Sequence, residues 1–187
     1  MNMNMKILAI VSSPRHDGNS SYLVDIALEE IKKQGIEVEK VSLIEKRIGW
    51  CLGHVECGSQ PQCLQKQDDF AGIVDKLYSA DGVLLSSPVY MGTISAMMKN
   101  FIERTRFKGN TIKMNARSVG VIAVASSTGI EDTLACLERF VTRRSSLPPE
   151  RIHKVGGKAK KPGDAKANQE LTREAAELGQ MMAEELK

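Results

Sequence analysis

The chain has 187 residues, of which 42% are hydrophobic and 26% charged, and a formal net charge of +3. Such a length suits one domain with a full core, and a charge this small, with lysines and arginines interspersed among acids, gives no nucleic-acid footprint. No apolar run approaches the roughly 20 residues of a membrane span, and the opening "MNMNMKILAIV" has too short an apolar stretch for a signal-peptide core. The expectation is a cytoplasmic protein with no membrane partner. Its four cysteines then read as metal ligands, redox groups or core residues rather than disulfides.

In chain order, "KILAIV" (6–11) is a buried-strand run, and Leu23, Ile26, Ala27 and Ile31 follow at helical spacing. "EVEKVSL" (37–43) alternates as a strand exposed on one face. Phe70, Ile73, Val74 and Leu77 mark a helix that Asp68 or Asp69 can cap. "GVLLSS" (82–87) is a second buried strand, ended by Pro88, and Ile94, Met97, Met98, Phe101 and Ile102 form the next helical stripe. "SVGVIAVA" (118–125) is a third buried strand, with Leu134, Leu137 and Val141 helical after it. "RIHKV" (151–155) is the last strand, "GGKAKKPGDAKAN" (156–168) reads as a solvated linker, and Leu171, Ala175, Leu178 and Met182 share a face of the closing helix.

Five strands alternating with five helices, most strands continuously apolar, predict a parallel sheet covered on both faces with right-handed crossovers. One domain over 1–187 is expected, with a cysteine-bearing insertion at about 48–67. Ligands of such sheets bind beyond the carboxyl ends of the strands, where strand order reverses. The loop leaving the first strand, "SSPRHDGNSS", leads straight into a helix whose free N–H groups and positive dipole end attract anions. Ser13, Asn19 and Ser20 supply polar donors, Gly18 lets the backbone curl, and Arg15 supplies charge.

Neither G-x-x-x-x-G-K-[ST] nor G-x-G-x-x-G is present, which argues against nucleoside triphosphate hydrolysis and a dinucleotide, and for a monophosphate. In "SSPVYMGTISAMMKN", residues Val89 to Gly92 offer backbone N–H groups beside an aromatic ring and a thioether, suited to the edge of a flat heterocycle. "ASSTGIED" adds a third loop of small donors. A phosphate grip after the first strand and ring grips after the third and fourth together describe FMN.

"SSPRHDGNS" followed by "ADGVLLSSPVYMGTISAMMKNFIERT" resembles the flavodoxin-like NADPH-dependent FMN reductases, in particular their iron–sulfur flavoprotein branch, over roughly residues 5 to 140. The resemblance implies a three-layer α/β/α sandwich whose five-stranded parallel sheet has the order 2-1-3-4-5. It implies that Ser13, Arg15, Asn19 and Ser20 hold the FMN phosphate and ribityl chain, that Pro88, Val89, Tyr90, Met91 and Gly92 flank the isoalloxazine, and that Ser126, Ser127, Thr128 and Gly129 close the other side. Family members often carry a glycine pair in this last loop; Ile130 stands after Gly129 here, which is expected to narrow the pocket over the ring. A homodimer or homotetramer is implied by the same resemblance.

"CLGHVECGSQPQC" gathers Cys51, His54, Cys57 and Cys63 as C-x2-H-x2-C-x5-C, where the resemblance places a four-cysteine cluster motif. Soft thiolates suit an iron–sulfur cluster or zinc; Cys3His is an ordinary zinc set and histidine a rarer cluster ligand. Free thiols remain the third reading. Trp50 is expected to pack this loop down, Cys136 to be core, His16 to face solvent, and Lys158, Lys160 and Lys161 to be solvated. The leading functional reading is an NADPH- or NADH-dependent FMN oxidoreductase acting on a small-molecule redox substrate. Its alternatives are an electron carrier reduced by ferredoxin and a phosphate-binding module without redox chemistry.

Overall fold

A computed structural model describes residues 5–65, 67–109 and 112–187. Strands β1 (Lys6–Val11), β2 (Glu37–Ser42), β3 (Gly82–Tyr90), β4 (Thr93–Ile94), β5 (Ser118–Ala125) and β6 (Ile152–Lys158) are joined by helices α1 (Asn19–Lys33), α2 (Phe70–Ser79), α3 (Ala96–Arg104), α4 (Ile130–Arg144), α5 (Asp164–Ala167) and α6 (Gln169–Glu184). The parallel strands run β2-β1-β3-β5-β6, which is the expected 2-1-3-4-5 once the short antiparallel β4 is set aside. The fold is flavodoxin-like.

Alternation along the strands builds two apolar layers. Leu8, Ile10, Val83, Leu85 and Val121 face Phe70, Leu77, Met98, Phe101 and Leu137 of α2, α3 and α4. Ile7, Ala9, Leu84 and Ile122 face Leu23, Ala27, Leu178 and Met182 of α1 and α6. Burial on both faces is why β1, β3 and β5 read as continuous apolar runs. Among the described residues no helix is long and apolar enough to cross a membrane.

Three expectations are corrected. Pro88 does not end β3, which continues to Tyr90. The register with β1 stops at Ser86, so β3 has no β1 partner at Pro88, whose missing N–H then breaks no bond on that side. Ile94 belongs to β4 rather than to the helix that follows. The "GGKAKKPGDAKAN" stretch is not a linker: it contains the end of β6 and all of α5.

Candidate functional site

Between β1 and α1 the chain folds into a tight turn around one carbonyl. Arg15 O accepts from Ser13 Oγ at 2.9 Å and from Gly18 N at 3.2 Å, while Ser13 Oγ accepts from Arg15 N at 3.1 Å. A Cβ on Gly18 would lie 2.3 Å from Ser13 Oγ and 3.1 Å from Arg15 O, so glycine is needed here for space. Gly18 is also the cap of α1, which has no side-chain cap and no acid in its first turn. The first N–H groups of α1 are therefore left for an external acceptor, at the positive end of the helix dipole.

The second loop is a hairpin. Tyr90 pairs with Thr93 and Val89 with Ile94. The two turn residues between them both have positive φ, 49° at Met91 and 82° at Gly92, the conformation that matches the twist of tight hairpins. Tyr90 and Met91 are exposed. The third loop packs directly on this hairpin: a Cβ on Gly129 would lie 2.8 Å from both Gly92 Cα and Val89 Cγ1. Ile130 does not narrow the ring side as expected. It turns toward β6, where its Cγ2 would be 2.4 Å from a Cβ on Gly156.

Buried hydroxyls, absent from the sequence reading, lock these loops together. Ser12 Oγ donates to Ser86 O at 3.1 Å, Ser95 Oγ donates to Ser12 O at 3.1 Å, and Ser87 Oγ accepts from Ser95 N at 2.9 Å. Ser95 also caps α3 by accepting from Met98 N at 3.3 Å. Because these serines sit at the ends of apolar runs, only the unusual density of hydroxyls after β1 and β3 signalled them.

The loops enclose a cavity of about 180 Å³ lined by Ser13, Arg15, Asn19, Ser20, Pro88, Val89, Tyr90 and Ser126, together with Gly18, Val124, Ala159 and Lys160. Met91, Gly92, Ser127, Thr128 and Gly129 are not in its lining. Asn19 reaches it with its side chain already engaged: Nδ2 donates to Lys161 O at 2.8 Å and Ala159 O at 3.3 Å, and Oδ1 accepts from Ala165 N at 3.2 Å. Ala159 was missed, and Lys160 was read as merely solvated, because the segment carrying them has the composition of a loop.

A second cavity, of about 430 Å³, is lined by Cys51, His54, Cys57 and Cys63 with Arg104 and Arg106. All cysteines are free. Burial, and then the neighbouring Cys63 and Cys51, push the Cys57 thiol above its ordinary value. Arg104, buried at the end of α3, donates to Cys63 Sγ at 3.3 Å, Gln65 O at 2.9 Å, Gly49 O at 3.2 Å and the Asp68 carboxylate. Asn100, one turn earlier, accepts from Cys51 N at 2.9 Å. Trp50 is 67% exposed and does not pin the loop; its carbonyl does, accepting from Gln65 Nε2 at 2.9 Å. The donor types are right for zinc or a cluster, yet among the described residues no group of three or more His, Cys, Asp or Glu side chains converges to hold a metal ion. As arranged, the four residues do not fit one. Cys136 is half-buried against the core, and His16 is exposed with Nδ1 3.3 Å from Glu45 Oε1.

The family profile for NADPH-dependent FMN reductase matches residues 5–142. Over 190 residues the chain is 34% identical to an iron–sulfur flavoprotein of Methanocaldococcus jannaschii, covering 98% of each chain. It is 32% identical over 180 residues to an iron–sulfur flavoprotein of Archaeoglobus fulgidus, covering 96% of this chain and 80% of that one. An archaeal flavodoxin structure superposes with a TM-score of 0.64 at 13% identity, over 97% of this chain and 99% of that one, a likeness of fold alone. The chain belongs to the NADPH-dependent FMN reductase family, in its iron–sulfur flavoprotein branch, and is a flavodoxin-like FMN-binding oxidoreductase.

Proposed function

We propose that this protein is a cytoplasmic NAD(P)H-dependent FMN oxidoreductase that passes electrons from a reduced nicotinamide to a redox acceptor. One observation carries the reading: the loops after β1, β3 and β5 converge on a single cavity lined by hydroxyls, an uncapped helix start and two cationic side chains. At about 180 Å³ the cavity is smaller than the ~300–1,000 Å³ of pockets that enclose a whole ligand. It suits the ribityl phosphate, with the isoalloxazine lying outward along the Tyr90–Gly92 hairpin.

When bound, FMN supplies the chemistry of accepting hydride and passing electrons on. The chain's own residues bind and orient. Arg15 and the first N–H groups of α1 hold the phosphate, the Val89–Gly92 backbone meets the ring edge, and Gly129 lets the third loop close on that hairpin. No side chain is assigned as acid or base, and no electron is routed through the cysteine loop. Exposed Tyr90 and Met91, and Trp50, Leu52 and Val55 on the cysteine loop, support an assembly in which a second copy covers the flavin, as a homodimer or homotetramer.

The test is to load the purified chain with FMN and mix it anaerobically with NADPH or NADH, following loss of flavin absorbance. Rapid bleaching is expected. Slow bleaching by both nucleotides together with fast bleaching by reduced ferredoxin would overturn the reductase in favour of a carrier. Failure to take up FMN would overturn both.

A further inference from the structure

The family match ends at residue 142, yet one wall of the cavity is built by residues beyond it, Ala159 and Lys160. The strap that carries them is tied down along its length. Ala159 N donates to Ala125 O at 2.9 Å, which continues the sheet beyond β6. Asn19, first residue of α1, then grips the carbonyls on either side of Lys160, those of Ala159 and Lys161, with one amide group and holds Ala165 N with its oxygen. From the far side, Asp164 Oδ2 accepts from Lys160 N at 3.0 Å and Lys161 N at 2.7 Å. A lysine on a solvated linker would sample many positions; this one sits on a backbone fixed at both ends.

Charge gives the strap a task. A phosphate monoester carries about −1.5 to −2 at neutral pH. Arg15 offsets about one unit and the start of α1 about half a unit more. Among the described residues neither Arg15 nor Lys160 is in an ion pair, and both line the cavity. A second cation is what a dianion still lacks. We infer that Lys160, held in place by Asn19, is the second phosphate-binding cation of the flavin site, so that a segment beyond the residues matched by the family profile sets the preference for FMN over unphosphorylated flavin. This rests on the FMN reading above and extends it by giving Lys160, one of the two cationic side chains lining the cavity, a role that reading leaves unassigned.

The experiment compares FMN with riboflavin, since only FMN carries the phosphate. Full-length wild type, Lys160→Gln and Lys160→Glu are titrated with each flavin by fluorescence quenching, with Lys158→Gln, exposed and outside the cavity, as the control. Loss of one charge-assisted contact is expected to weaken FMN binding about tenfold in Lys160→Gln and further in Lys160→Glu, leaving riboflavin affinity unchanged. Asn19→Ala is expected to lower the FMN-to-riboflavin preference in the same direction and to open the strap to tryptic cleavage after Lys158 and Lys160. If wild type binds FMN and Lys160→Gln keeps the wild-type preference, the inference is overturned while the FMN reading stands. A shift in NADPH-over-NADH preference with an unchanged flavin preference would overturn it too, by giving the cation to the nicotinamide donor. A wild type that takes up no FMN defeats both.

Discussion

Arg104 Nη2 donates to Cys63 Sγ at 3.3 Å although the residues stand 41 positions apart. The same guanidinium lies 4.3 Å from the centroid of the Phe70 ring and pairs with Asp68, so one buried side chain on α3 fastens the whole cysteine loop to the fold. Its Nε is buried without a partner among the described residues. Breaking a buried pair by removing one member costs about 3–5 kcal/mol. Arg104→Met is therefore expected to lower unfolding free energy by about that amount. Arg104→Lys recovers only part, because an ammonium cannot serve four divergent acceptors as a planar fork does. Urea unfolding measures both; a loss under about 1 kcal/mol in Arg104→Met would show that the loop is held elsewhere.

Asp68, the other half of the pair, gives stability a pH dependence. Burial pushes its carboxyl up, but the Arg104 guanidinium and the N–H groups of Gly49 and Phe70 outweigh burial and hold it below its ordinary value. In the unfolded chain it titrates near pH 3.9. Its contribution is thus complete above that pH and is lost as pH falls through the lower folded value, where the unfolded chain binds the extra proton. Wild type is expected to lose stability more steeply than Asp68→Asn below about pH 4. Parallel curves in an acid titration of unfolding free energy would count against the pair.

The parallel strands and the three converging loops were legible because a doubly covered strand is an unbroken apolar run and because loop chemistry stands out at its end; the strand order came only from the family resemblance. Glycine misled at the C-terminal side. Gly156 and Gly157 look like linker residues, yet they lie in β6 because a Cβ would come within 2.4 Å of Ile130 and 2.5 Å of Leu171. They are glycines for packing, and composition cannot tell that from flexibility. Trp50 failed for the opposite reason: a large apolar side chain invites a core assignment, and only tertiary context leaves it exposed.

Gly18 offers a sharp test of the turn after β1. An alanine methyl would stand 2.3 Å from Ser13 Oγ, a buried atom already bonded on both sides to Arg15. Gly18→Ala must open that turn, at an overpacking cost of about 1–3 kcal/mol. FMN affinity is expected to fall at least about tenfold. Gly58→Ala, whose new methyl meets nothing within 4 Å and whose φ is not positive, serves as the control and should leave both quantities unchanged. Equal FMN affinity in Gly18→Ala and wild type would remove the turn from the phosphate site.

His54 is where the cysteine loop departs from four thiolates. It precedes the short 3₁₀ turn Val55–Ser59 and lines the same cavity as the three cysteines. Iron–sulfur clusters are held chiefly by thiolates, whereas one imidazole among three is an ordinary zinc shell. Any metal must also draw the donors together and displace the proton that burial holds on Cys57. A fourth thiolate lowers that cost for a cluster. After anaerobic reconstitution with iron and sulfide, His54→Cys is expected to retain severalfold more of both per chain than wild type. FMN binding should be unchanged, since none of these residues lines the phosphate cavity. Equal iron and sulfide in the two proteins would mean that His54 does not limit what this loop can hold, and that the loop's anchoring by Arg104 and Asn100 does.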